Sequence, residues 1–302
     1  MLNKTTTSNL KGFSILIVML GHLVNSNKSS IDYDFRYFAA FAVSVFLILS
    51  GYGLSISHKN NGLKDFARKR FSGVVIPYAI ATLFVSIALG ILFSDPVRAI
   101  RTMTLTNPSN PIDKTLWFIY FICMWYVIFF VTYKTFNRKT HRVATILLAA
   151  IFIYLLHPFR FISQLNFQFT LHAFSFAVGV MIAEFKERIS FKLLMMLSLV
   201  TFFTSIICLF GEYSMLRYEV SCLSFGIMVV SVFCVFDLNF KILSFFGAIS
   251  YEMYLFEGVL LNVSYSNNLV INAILFIFFT SATAYLFKRI INEIKELKKP
   301  FA

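Results

Sequence analysis

The chain has 302 residues, of which 58% are hydrophobic and 18% aromatic, and only 14% are charged; a soluble domain carries roughly 25% charge, so the water-soluble enzyme classes are excluded. The net charge of +13 would suit a nucleic-acid binder, but the basic residues fall in short clusters between apolar runs, where cytoplasmic loops and anionic lipid account for them and no nucleic-acid partner is expected. Cys123, Cys208, Cys222 and Cys234 sit in apolar runs without metal-ligand spacing, and there is no Gly-rich phosphate loop, zinc motif or Gly-x-Ser-x-Gly, so no metal site is expected.

Ten stretches are apolar enough to span a bilayer, near 12–26, 36–57, 74–93, 115–134, 143–157, 166–184, 193–210, 218–236, 242–263 and 268–287. The expected fold class is all-α: a polytopic membrane protein of about ten transmembrane helices. It forms one domain over 1–302, with 288–302 as a cytoplasmic helical tail. The first apolar segment has no small-residue cleavage site after it and reads as a retained helix. With the N-terminus inside, Lys28, Arg36, Arg98, Arg101, Lys114, Arg160 and Arg217 fall outside, and the other 20 of the 27 Lys and Arg fall inside. That asymmetry predicts that both termini are cytoplasmic in a multi-pass protein of the cell's cytoplasmic (plasma) membrane.

The first span carries Lys11 and His22, eleven residues apart, or roughly 16 Å along a helix and about half a bilayer core. An ionisable side chain inside a span marks a functional candidate. The second span ends in Leu49-Ser50-Gly51-Tyr52, and a basic loop from His58 to Gly73 follows, with Lys59, Lys64, Arg68, Lys69 and Arg70. Such a block suits phosphate oxygens and equally satisfies the positive-inside rule.

Ser94 to Lys114 is a long polar outer connection. Trp117 opens the fourth span; His172 and Glu184 lie in the sixth. In the ninth, Tyr251, Glu252, Tyr254 and Glu257 put two carboxylates and two phenols on one helix. These line a polar cavity or pair with cations such as Arg36 or Lys11. The tail from Lys288 is assigned no chemistry.

In this order the signals resemble the acyltransferase-3 family of integral-membrane O-acyltransferases. Leu10-Lys11-Gly12 with His22 keeps the spacing of that family's Leu-Arg-Gly…His. Phe46 to Tyr52 resembles its Phe-rich run into Ser-Gly-Tyr, Phe66 to Arg70 with Pro77-Tyr78 its basic segment, Leu116 to Phe118 its Leu-Trp-Phe, and Ser250 to Leu255 its Ser-Tyr-x-x-Tyr-Leu. The chain departs from the pattern where Lys11 replaces Arg, Ser8 and Ser44 replace acidic residues, Ser72 and Gly73 replace basic ones, and Glu257 replaces a His.

The resemblance implies an acyl-CoA donor, acetyl-CoA above all, as co-substrate. The acceptor it implies is a hydroxyl on a surface polysaccharide or lipid-linked saccharide, within membrane lipid. On that reading His22 is the general base, Ser50, Tyr52 or Tyr254 donates to the oxyanion, and Lys11, Arg68, Arg70 and Trp117 hold the CoA. Tyr251, Glu252 and Glu257 line the polar cavity. Two alternatives stay open: a transporter or flippase using His22, Glu252 and Glu257 as a proton relay, and an inactive acyltransferase-like scaffold.

Overall fold

The computed structural model describes residues 2–26, 37–156 and 165–297. Their regular structure is helical, with no β-strand among the described residues. In chain order they form α1 (Lys4–Ser26), α2 (Phe38–Asn61), α3 (Phe66–Ala88), α4 (Pro96–Met103), α5 (Trp117–Thr135), α6 (Lys139–Leu155), α7 (Leu165–Leu171), α8 (Ala173–Glu184), α9 (Phe191–Gly211), α10 (Met215–Val235), α11 (Lys241–Leu260) and α12 (Leu269–Leu297). Eight helical segments are long and apolar enough to cross a bilayer. The 17-residue α6 and the 20-residue α11, whose apolar run Glu252 and Glu257 interrupt, occupy the other two expected positions.

Two seams organise the bundle. Along α1 and α11, a Cβ at Gly12 would overlap the Leu243 carbonyl, and one at Gly247 would overlap the Ser8 carbonyl. The glycine after Lys11 is therefore there for backbone-to-backbone approach, the usual way membrane helices gain packing contact. Ser8 meets Ser244 at one end and His22 meets Glu257 at the other, so the two helices run parallel. Asn9 fastens the seam: its Oδ1 accepts from Phe240 N at 2.7 Å and its Nδ2 donates to Ser244 Oγ at 2.8 Å. Interhelical hydrogen bonds of this kind are worth about 0.6 kcal/mol each. The second seam joins α2 to α8, where Gly51 faces the Phe176 carbonyl and Gly179 the Ile48 carbonyl.

The helix α2 is packed on both sides, by Phe41 and Ile48 towards Phe225 and Val229 of α10, and by Leu47 and Leu54 in the cluster of Trp125, Phe129 and Phe176. By contrast, α9 leaves Met196, Val200, Phe203 and Ile207 exposed in one stripe, as a lipid-facing helix does.

The segment expected as a loop from His58 to Gly73 is mostly helix. Lys and Arg are good helix formers, and the chain turns only at Gly62 (φ +59°) and Asp65 (φ +56°). Arg68, Lys69 and Arg70 are therefore helical, and α3 passes through a π-helical turn at Phe71–Val75 before Pro77. As far as Leu297, the expected tail is the continuation of α12; 298–302 lie outside the described residues. Arg36, a candidate partner for the ninth-span carboxylates, and Lys28 and Arg160 of the charge count lie outside the described residues.

Candidate functional site

One stripe of α1 faces a single cavity of ≈ 630 Å³: Thr7, Lys11, Ile15, Val18, His22 and Asn25. Steps of three and four residues keep these side chains on one face, and the stripe is about 27 Å long at 1.5 Å per residue. The cavity thus runs along most of a bilayer's thickness between α1, α2, α3, α5 and α11.

His22 is held from behind. Its Nδ1 is in direct contact with Glu257 Oε1 across the α1–α11 seam, with 24% of the imidazole exposed and none of the carboxylate. A carboxylate accepting from Nδ1–H fixes the tautomer and leaves Nε2 as the lone-pair nitrogen. Among the described residues Nε2 makes no hydrogen bond, and the ring lines the cavity. A second buried carboxylate, Asp113, lies against the α11 backbone at Gly258. Its Oδ1 accepts from Thr115 N and Oγ1, both at 2.8 Å, and burial holds its carboxyl above the usual range.

The other end of the cavity is cationic. Lys11 lies within electrostatic range of Arg70, Lys288 and Glu252, and all four line the wall. Lys288 Nζ is 3.7 Å from Glu252 Oε2 and donates to the Ala248 carbonyl. The Arg70 guanidinium sits over the rings of Tyr126 and Phe66, 5.6 and 5.8 Å from their centroids, an arrangement that keeps a weakly hydrated cation poised without an anion. The π-helical turn follows directly, and Tyr251 Oη donates to Val74 O at 2.7 Å within it. Such turns recur at functional sites.

A profile described as an acyltransferase domain matches residues 8–289. The chain belongs to the acyltransferase-3 family. Comparison with curated proteins and with solved structures gives no significant match. The matched span takes in the cavity wall from Lys11 to Lys288, and makes this a multi-pass membrane protein of an acyl-transferring family. Among the described residues no group of three or more His, Cys, Asp and Glu is arranged to hold a metal ion.

Measured against the family's motifs, the structure brings Lys11, His22, Ser50, Arg70, Trp117, Tyr251, Glu252 and Tyr254 of this acyltransferase-3 chain to one cavity. Their depths differ. Gly21 touches Ala39, so α1 and α2 are antiparallel there, and Ser50 lies about 16 Å further along, level with Lys11 and away from His22. Tyr254 is on the His22 level; its Oη donates to the Thr115 carbonyl and accepts from Phe118 N at 3.3 Å.

Tyr52 packs into the apolar cluster of α1, α2 and α10, off the cavity wall. The Arg68 side chain is 77% exposed, pairs with Asp65 at 3.2 Å and does not line the cavity. Ser44, in an acidic position of the family pattern, hydrogen-bonds His172 Nδ1 at 3.2 Å. Sequence reasoning missed Lys288, Tyr126, Asn25 and Gln168 as wall residues. Lys288 had the one available signal: it closes an apolar run and is the first cation after it.

Proposed function

We propose that this protein is an O-acyltransferase of the cytoplasmic membrane, with both termini cytoplasmic, carrying an acyl group, acetyl above all, from acyl-CoA to a hydroxyl of a surface glycan or lipid-linked saccharide. The observation that carries this reading is one elongated cavity with a carboxylate-backed imidazole at one level and three cations at the other. Lys11, Arg70 and Lys288 meet the donor's phosphates, with Ser50 and Tyr126 beside them. The acyl arm extends along the α1 stripe so that the thioester carbonyl lies by His22.

Nε2 of His22 takes the proton of the acceptor hydroxyl as its oxygen attacks the thioester carbon. The C–S bond breaks on collapse of the tetrahedral adduct, and the imidazolium returns the proton to the departing thiolate. Glu257 offsets the charge that appears on the ring, as the carboxylate of a nucleophile–histidine–carboxylate system does. Tyr254, level with His22, is the motif side chain placed for the oxyanion; its one hydroxyl proton is held by the Thr115 carbonyl and has to turn from it to donate there.

The test is mass spectrometry of surface glycans from cells carrying the wild-type chain, no chain, or His22→Ala at equal expression. An acyl increment present only with the wild type supports the proposal and names the acyl group. A full increment with His22→Ala would remove His22 from the mechanism, and no increment with the wild type would overturn acyl transfer to a glycan.

A further inference from the structure

The chain has 12 glycines, and ten of them have a structural reason. At seven a Cβ would overlap a neighbouring helix or side chain, as along the two seams. Gly62 and Gly90 have positive φ, and Gly211 is the last residue of α9, where it no longer interrupts a helix interior. Gly53 and Gly73 have none of these reasons. Gly53 lies inside α2 and Gly73 inside the π-helical turn of α3, and neither has a positive φ. Among the described residues a Cβ at either would meet nothing within 4 Å.

A glycine inside a helix destabilises it, because the backbone is freer when unfolded and there is no side chain to pack. Both of these glycines are exposed, and both line the one large cavity. Gly53 follows Ser50 by three residues and Gly73 follows Arg70 by three, so each shares a helix face with a side chain of the cationic end. By the antiparallel register of α1 and α2, Gly53 is level with Thr7, about one turn further from His22 than Lys11 is. Beside Gly73, Arg70 Nε is buried and makes no hydrogen bond among the described residues. Gly73 also stands where the family pattern has a basic residue, so the space that such a side chain would fill is open in this chain.

An acyl-CoA is slender along its pantetheine arm and wide at its adenosine head. If the cations take its phosphates, the bulk that adjoins them is the nucleoside. We infer that Gly53 and Gly73 are specificity-determining residues: the room they leave at the cationic end admits a nucleotide head, which larger side chains at the same two positions would exclude while still passing the slender arm. The inference rests on the reading of that end as the donor's phosphate site, and binding without any transfer is enough to test it.

The full chain in lipid nanodiscs is titrated calorimetrically with CoA and with 4′-phosphopantetheine, which has the same arm and a phosphate but no nucleoside. Gly53→Ala and Gly73→Ala have no packing to lose and gain a better helix former, so their thermal midpoints should stay at or above that of the wild type. A clear fall in either would reveal a packing reason for the glycine and overturn the inference.

Gly53→Leu and Gly73→Leu keep good helix formers and fill the space. Each should weaken CoA by roughly tenfold or more and 4′-phosphopantetheine by less than about twofold. No CoA binding by the wild type, CoA binding unchanged by either leucine, or an equal loss of both ligands overturns the inference. Acyl transfer in the glycan assay separates the two readings. CoA binding that follows these expectations without any transfer brings down acyl transfer and leaves the role of the glycines standing; transfer by a chain whose CoA binding is indifferent to both leucines does the reverse.

Discussion

Glu252 and Glu257 are five residues apart on one helix, and the structure treats them in opposite ways. Glu257 is sealed from solvent and engaged by His22 across a seam of glycines. Glu252 faces the cavity, with Lys288 at 3.7 Å and Lys11 and Arg70 in electrostatic range. Five residues turn a helix through about 500°, leaving two side chains roughly 140° apart, so the same carboxylate is aimed at two tasks. Among the described residues the sealed one has a single side-chain hydrogen-bond partner, His22, and sets its geometry. The open one belongs to a group of three cations and sets a charge balance that an incoming anion can alter.

Substitutions can pull this contrast apart. His22→Ala removes what Glu257 is there to hold, and transfer should fall by about 10³-fold or more, the scale of a lost general base; assay of thiol release in nanodiscs decides it. Glu257→Gln still accepts from Nδ1–H but carries no charge, and kcat should fall by about 10²-fold with donor KM little changed. An unaltered kcat would mean that Glu257 is only a packing partner.

At the open pair the effect should move to the other constant. Lys288→Ala should raise the donor KM by roughly tenfold, about the worth of one charge-assisted hydrogen bond, with kcat near wild type. Glu252→Gln should lower the donor KM by a few-fold, since it removes the anion competing for the same cations; a raised KM would instead make Glu252 a donor ligand. Arg68→Ala and Tyr52→Phe, both off the cavity wall, should change either constant by less than about twofold.

Much of this was legible in the sequence because it is a matter of periodicity. Eleven residues make about three helical turns, so Lys11 and His22 had to share a face of α1, and the two do line one cavity. The same arithmetic places Tyr52 some 200° from Ser50, so one helix could not offer both to the same site, although the motif groups them. What sequence could not supply was pairing across distance. Glu257 stood out as an ionisable residue in a span, but its partner lies 235 positions away, and only the meeting of Gly12 with Leu243 and of Gly247 with Ser8 brings them together.

The basic clusters were ambiguous for another reason. The positive-inside rule explains any cation near a helix end, so the composition alone gives Arg68, Arg70 and Lys288 the same meaning. Arg68 turns out to face solvent, whereas Arg70, two residues on, and Lys288 face the cavity. The all-helical class followed from apolar length, which the bilayer fixes, as did the eight segments long and apolar enough to cross.

The parallel seam of α1 and α11 also acts as a ruler. Because Lys11 and His22 ride on one rigid helix braced along its length, the gap between anion-binding end and reacting atom is set by a count of residues, roughly 16 Å, and not by how a loop happens to close. On the proposed acyl-transfer reading, a donor would be selected by the length of its arm: one too short would leave its carbonyl below the imidazole, and one too long would fold it back against Val18 and Ile15. Lengthening α1 and α11 together by one turn would shift that preference to a longer arm by about 5.4 Å, whereas lengthening α1 alone would slide His22 off Glu257.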